Sequence, residues 1–122
     1  MNRVASLRVA AEFGLLGAAV ASTALAEPAP PFVGKWAAQR TQCRLGQESP
    51  EAPMIVRRNG YDQHEAHCTF KSVRPQPPAW AIKAECTVEG NRQDYDFVFQ
   101  VANNRLTIRQ QDVEPQTLQR CP

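Results

Sequence analysis

The stretch CTFKSVRPQPPAWAIKAECTV, residues 68–88, decides the fold. In its second half, Trp80, Ile82, Ala84, Cys86 and Val88 fall on one face, while Lys83, Glu85 and Thr87 fall on the other, the pattern of a strand with one face buried. In its first half, Cys68 and Phe70 share a face opposed by His67, Thr69 and Lys71. Between the runs, Pro75-Gln76-Pro77-Pro78 reads as a segment that must turn and cannot pair. Folding the runs about position 77 sets Phe70 against Ala84 and Cys68 against Cys86. Directly opposed residues of a non-hydrogen-bonded pair have Cα atoms roughly 4.5 Å apart, which a disulfide can bridge. The register therefore predicts Cys68–Cys86, and Cys43–Cys121 follows by elimination.

The alternation continues on both sides. Tyr95, Phe97, Phe99 and Val101 share a face, with Val98 as an apolar exception on the outer one. A turn over Gly90-Asn91-Arg92-Gln93 would set Val88 against Tyr95 and Cys86 against Phe97. Asn103-Asn104 is a two-residue hairpin signal, because Asn tolerates positive φ. It sets Val101 against Leu106 and Phe99 against Ile108. Upstream, Asn59-Gly60 separates Met54–Arg58 from a strand over Tyr61–His67 and predicts Ile55 opposite His64, with Met54 and Val56 outward. Gly34-Lys35-Trp36 opens the first strand and Gln116–Cys121 closes the last. Hairpins that agree on one apolar face predict an all-β antiparallel meander of about seven to eight strands, forming a small closed or nearly closed barrel stapled by two disulfides.

The chain has 122 residues, room for one domain. Residues 1–26 read as a signal peptide: Arg3 and Arg8 precede the apolar run Phe13–Ala24, and Ala24-Leu25-Ala26 fits a small-x-small cleavage site. That run is too short to span a bilayer, which needs roughly 20 residues, so no stable membrane anchor is expected after cleavage. Residues 27–31 (EPAPP) read as a Pro-rich flexible arm, and 32–122 as a single β domain. Setting aside Arg3, Arg8 and Glu12 leaves twelve of the 14 Lys/Arg and eleven of the 12 Asp/Glu in residues 27–122. This near balance makes no case for nucleic acid or acidic lipid as partner. All four cysteines lie in that part, an even number in a small exported domain, and their wide scatter is unlike the close pairs of a zinc site. Chain-entropy estimates give roughly 3 kcal/mol for the shorter loop and about 4 to 5 for the longer, with a smaller joint effect because the loops are nested.

Chemistry-bearing residues are sparse. His64-Glu65-Ala66-His67 is not a His-Glu-x-x-His motif, and on a strand residues three apart point to opposite sides, so no metal site is assigned. Asp94 and Asp96, near Glu85 and Glu89, read as a polar outer face rather than a glycosidase pair, which needs a cleft. Ser49 and Ser72 lack a nucleophile elbow, and there is no Gly-rich phosphate loop. No catalytic residue and no cofactor is assigned, and the chain reads as a non-enzyme. Trp36, Trp80 and Phe99 are the candidate ligand-pocket residues, with filled core as the competing reading.

Phe32-Val33-Gly34-Lys35-Trp36 resembles the Gly-x-Trp opening of lipocalin-like barrels and of the small periplasmic inhibitors of secreted metalloproteases. The mature chain as a whole is similar to short exported proteobacterial two-disulfide proteins. The resembling pattern runs from Gly-x-Trp and Cys43 through Cys68, Trp80, Cys86-Thr-Val-Glu-Gly90 and Leu106-Thr-Ile108 to Arg120-Cys121. That resemblance implies compartment and fold, and it assigns no activity.

The leading expectation is a periplasmic or secreted binding module that engages a protein partner as a monomer, with inhibition of an envelope or secreted hydrolase as its sharpest form. The arm Glu27–Pro31 and the loop Arg44–Pro53 are the expected contact elements. A carrier of a small apolar ligand is the second reading, and an enzyme using His64 the third.

Overall fold

A computed structural model describes residues 14–20 and 27–122. The expected signal peptide lies largely outside the described residues. Its described part, 14–20, is irregular, and Leu15 and Leu16 are 97% and 98% exposed, so they add nothing to the core.

Eight antiparallel strands form a closed barrel in sequence order: β1 Gly34–Ala37, β2 Met54–Arg57, β3 Gly60–Gln63, β4 Ala66–Gln76, β5 Ala79–Val88, β6 Asn91–Ala102, β7 Arg105–Gln110 and β8 Val113–Arg120. Both disulfides are those expected, one from the register and the other by elimination. Cys68 and Cys86 are directly opposed on β4 and β5 with Cα atoms 4.0 Å apart, and Cys43–Cys121 spans 5.6 Å. Two such bridges suit an oxidising compartment.

Several local expectations are corrected. Pro75 and Gln76 do pair, with Trp80 and Ala79, and only the cis-linked Pro77-Pro78 turns the chain. A bulge at Lys71 shifts the register by one residue, so Val73 lies opposite Ile82 and packs on the core. The β5–β6 turn is the two-residue Glu89-Gly90, both at positive φ (50° and 82°), rather than residues 90–93. Cys86 therefore faces Gln93 and Ala84 faces Tyr95, a slip of four from the predicted register. An even slip leaves every side chain on its predicted face, which is why the inward set still came out right. Asn103 and Asn104 turn as predicted, at φ 53° and 58°, with Val101 opposite Leu106 and Phe99 opposite Ile108.

Upstream the turn falls on Arg58-Asn59, and Gly60 begins β3. A Cβ on Gly60 would collide with the Cys68 carbonyl oxygen, so glycine is demanded here by close backbone approach rather than by the turn. This places Ile55 opposite Asp62, and Met54 and Val56 are buried rather than outward. The expected single strand over Tyr61–His67 is broken by a turn at His64-Glu65, with His64 at φ 51°. β8 begins at Val113, three residues before the predicted start. A 3-10 helix, Arg40–Arg44, which the alternation did not signal, follows β1.

The closing seam between β1 and β8 is short: Trp36 pairs with Arg120 and Ala37 with Gln119. Reinforcement comes from the Cys121 N–H, which donates to the Lys35 carbonyl at 2.8 Å, and from a satellite cluster of Ala37, Cys43 and Cys121. Replacing Cys43 and Cys121 together by alanine should lower stability by about 2–5 kcal/mol. Amides of β1 and β8 should lose hydrogen-exchange protection before those of β5. Unchanged protection at the seam would show that the two strand pairs close the barrel without the bridge.

Candidate functional site

The structure brings Trp36, Trp80 and Phe99 to one end of the barrel, but not around a void. Trp80 and Phe99 are directly opposed on β5 and β6. The ring of Phe32, just ahead of β1, lies 5.6 Å from Trp80 and 5.7 Å from Phe99 in edge-on contacts, with Phe70 at 6.3 Å. Phe32, Trp36 and Phe99 are fully buried, so the space that would receive an apolar ligand holds Phe32. The Trp36 indole N–H donates to the Phe32 carbonyl at 2.9 Å, and the Arg120 guanidinium stands 4.2 Å over the Trp36 ring. Sequence reading treated Phe32 only as part of an opening motif. Its signal was a lone large aromatic between a Pro-rich arm and the first strand, and periodicity cannot assign a residue that lies outside every strand.

The arm is held, although its composition predicts flexibility. Arg58 donates to the Glu27 carbonyl at 2.6 Å, and Arg120 donates to the Pro31 carbonyl at 2.8 Å. Between arm and sheet lies a groove of about 450 Å³, walled by Pro28, Pro30 and Pro31 on one side and by Val73, Pro75 and the half-buried Trp80 on the other.

The arm and the loop Arg44–Pro53 lie at opposite ends. Successive strands alternate in direction, so the turns after β2, β4 and β6 share the arm's end, while those after β3, β5 and β7 share the loop's. The loop is fixed to its end by Gln47, whose side-chain oxygen accepts from the His64 N–H at 2.7 Å and whose amide donates to the Pro53 carbonyl at 2.9 Å. Charge is uneven between the ends. Exposed Glu48, Glu51, Glu65, Glu89 and Asp112 occupy the loop's end, with Arg40 and Arg44 in the 3-10 helix that leads into it. Arg57, Arg58, Arg105 and Arg120 occupy the arm's end, where Arg57 is paired with Asp62 and Glu27 is the other carboxylate.

His64 and His67 serve different partners. The His64 ring Nδ1 lies 2.9 Å from the Gln47 carbonyl, and His67 Nδ1 lies 2.9 Å from Asp62. Asp62 is held below the usual carboxylate range chiefly by its hydrogen bond from Arg57, with His67 adding to it. On the outer wall Glu85 is likewise lowered by Arg92, its direct ion-pair partner, with a smaller contribution from Lys71. Asp94 and Asp96 sit opposite Glu85 and Lys83 on the exposed face of β6.

Comparison of the chain with family models, curated proteins and solved structures gave no match.

Sequence reading also passed over Tyr61, whose inward ring packs near Phe70 and Phe97. Burial pushes its phenol up to about 12, and the neighbouring Tyr95 phenol adds to the shift. A folded-state value above the ordinary 10.0 means stability that is complete below about pH 10 and lost as pH climbs toward 12. Tyr61→Phe should therefore flatten the fall in urea midpoint between about pH 10 and 12, and an unaltered slope would assign that fall to other groups. Phe32→Ala should cost about 3–5 kcal/mol, read from the urea midpoint at neutral pH. It should also create an apolar cavity beside Trp80 that changes tryptophan emission when small apolar dyes are added.

Proposed function

We propose that the chain is exported to the periplasm or exterior, where residues 32–122 act as a non-catalytic binding module for a protein partner. The observation that carries this reading is the preformed end of the barrel. There a clamped proline-rich arm and Trp80 frame an apolar groove of about 450 Å³, flanked by arginines. A surface already ordered before contact loses little conformational freedom on binding. Aromatic and arginine side chains are those that most often dominate interface energetics.

Because the arm and the loop face opposite ways, a single small partner face meets only one of them, and the apolar groove favours the arm. The partner surface is then acidic at its rim, complementing Arg58 and Arg105. Phe32 inside the barrel weighs against the carrier reading, since it fills the space among Trp36, Trp80 and Phe99. Inhibition of an envelope or secreted hydrolase is the sharpest form of the proposal. Its support is the resemblance of Gly34-Lys35-Trp36 to the opening of periplasmic protease inhibitors, together with a rigid, disulfide-stapled scaffold.

The test is a titration of the oxidised chain against a panel of secreted and envelope hydrolases, followed by the same titration with residues 27–31 deleted. Stoichiometric inhibition of one enzyme is expected, weakened about tenfold or more by the deletion, as for a hot-spot contact. Inhibition that survives deletion of the arm would shift the contact to the acidic end. Absence of inhibition across the panel would remove the hydrolase form.

A further inference from the structure

The outer wall of the barrel carries a second concave site. Four strands bring Arg74, Ala81, Val98 and Arg109 into one cross-strand row, each the direct partner of the next. At a strand spacing of about 4.8 Å, the two arginines stand about 14 Å apart across the two small apolar residues. The exterior of a barrel is convex by default. Here the flanking strands are bent, by the bulge at Lys71 in β4 and by a register shift between Ile108 and Gln110 where β7 meets β8. The result is a groove of about 450 Å³, with Ser72 and Gln111 at its margins, in the size range of small-molecule sites.

Ala81 and Val98 are half-buried, whereas Arg74, Arg109 and Lys83 are exposed around them. Among the described residues none of these three cations forms an ion pair, although Lys71, Arg57 and Arg92 on the same barrel all do. Arg109 donates to the Gln100 side-chain oxygen at 3.2 Å, a neutral acceptor that leaves its charge uncompensated. Asp96 is the one acid of the groove and sits opposite Lys83. An apolar floor between two uncompensated guanidinium groups matches an apolar body that ends in a carboxylate, which arginine binds with paired N–H donors.

We propose that this groove binds a small amphipathic carboxylate, its apolar body on Ala81 and Val98 and its carboxylate on Arg74 or Arg109. The groove opens on the outer face of β4 and β5 and shares no lining residue with the groove beneath the arm, so it does not depend on the partner-binding reading.

Decanoate, titrated into the oxidised chain by calorimetry and by displacement of 1-anilinonaphthalene-8-sulfonate, tests the assignment. Saturable one-to-one binding is expected, with decanol at least about tenfold weaker because it lacks the charge. The double variant Arg74→Gln with Arg109→Gln should weaken decanoate by about tenfold or more, with an unchanged near-UV spectrum. Deletion of residues 27–31 should leave decanoate binding as it is. The proposal falls if decanoate does not saturate, if the double variant binds as the parent does, or if decanol binds equally well. It falls equally if arm deletion abolishes binding, or if an alternating Glu-Leu peptide outcompetes decanoate, since the groove would then belong to a polypeptide.

Discussion

An eight-stranded barrel has an interior just wide enough for side chains to fill, and a chain this short has few residues to spare for filling it. The constraint is met from outside the sheet. Phe32 enters from the arm and makes edge contacts with Phe70, Trp80 and Phe99, strands β4, β5 and β6 together. Its carbonyl accepts from Trp36, Trp36 lies under Arg120, and Arg120 holds the Pro31 carbonyl. The same few residues that complete the core therefore pin the arm, order the groove beside Trp80 and bring the first strand to the last. Core completion, barrel closure and the shape of the proposed binding end are one arrangement.

Much of this architecture was legible because side-chain direction in a strand has period two. The face of each residue survives any even error in register. That is why the β5–β6 pairing could slip by four residues while Ile82, Ala84, Phe97 and Phe99 still pointed inward. The Cys68–Cys86 bridge was legible for a firmer reason: covalent geometry tolerates only near-opposed partners, and one register alone supplied them. Odd displacements were not legible. The bulge at Lys71 is one, and it turns Val73 onto the core face. The upstream turn is not: it moves the partner of Ile55 by two, from His64 to Asp62, and reverses no face, so Met54 and Val56 were misassigned because the run Met54–Arg58 carries no clean alternation to say which side is buried. The Asn-Gly signal misled because Gly60 answers to the Cys68 backbone and not to the turn.

The candidate site was legible only in part. Trp36, Trp80 and Phe99 were gathered correctly, since they belong to strands and follow the alternation. Their meaning changed with Phe32, which follows no alternation. Arg120 was equally hidden, because its role depends on the seam between the two ends of the chain, 84 positions from Trp36 in sequence yet its direct partner in the sheet. The division of charge between the two ends was hidden in another way. Glu65, Glu89 and Asp112 sit in the turns after β3, β5 and β7, and only the up-and-down topology gathers these scattered acids at one end.

The outer groove shows how strictly such a site depends on irregular pairing. Val98 was visible from the start as an apolar residue on a polar face, and Asn103-Asn104 already fixed it beside Arg109. The other half of the row required both departures from regular geometry. Without the bulge at Lys71, Arg74 would stand opposite Trp80. With a four-residue turn at Gly90, Val98 would stand opposite Glu85 and its carboxylate would compensate the arginine next to it. With the bulge and the two-residue turn in place, Arg74 meets Ala81, Ala81 meets Val98, and Glu85 is drawn off to Arg92. The bulge brings Arg74 to the row and the two-residue turn keeps Glu85 away from it, so the row and its uncompensated arginines arise from two local choices of register acting together.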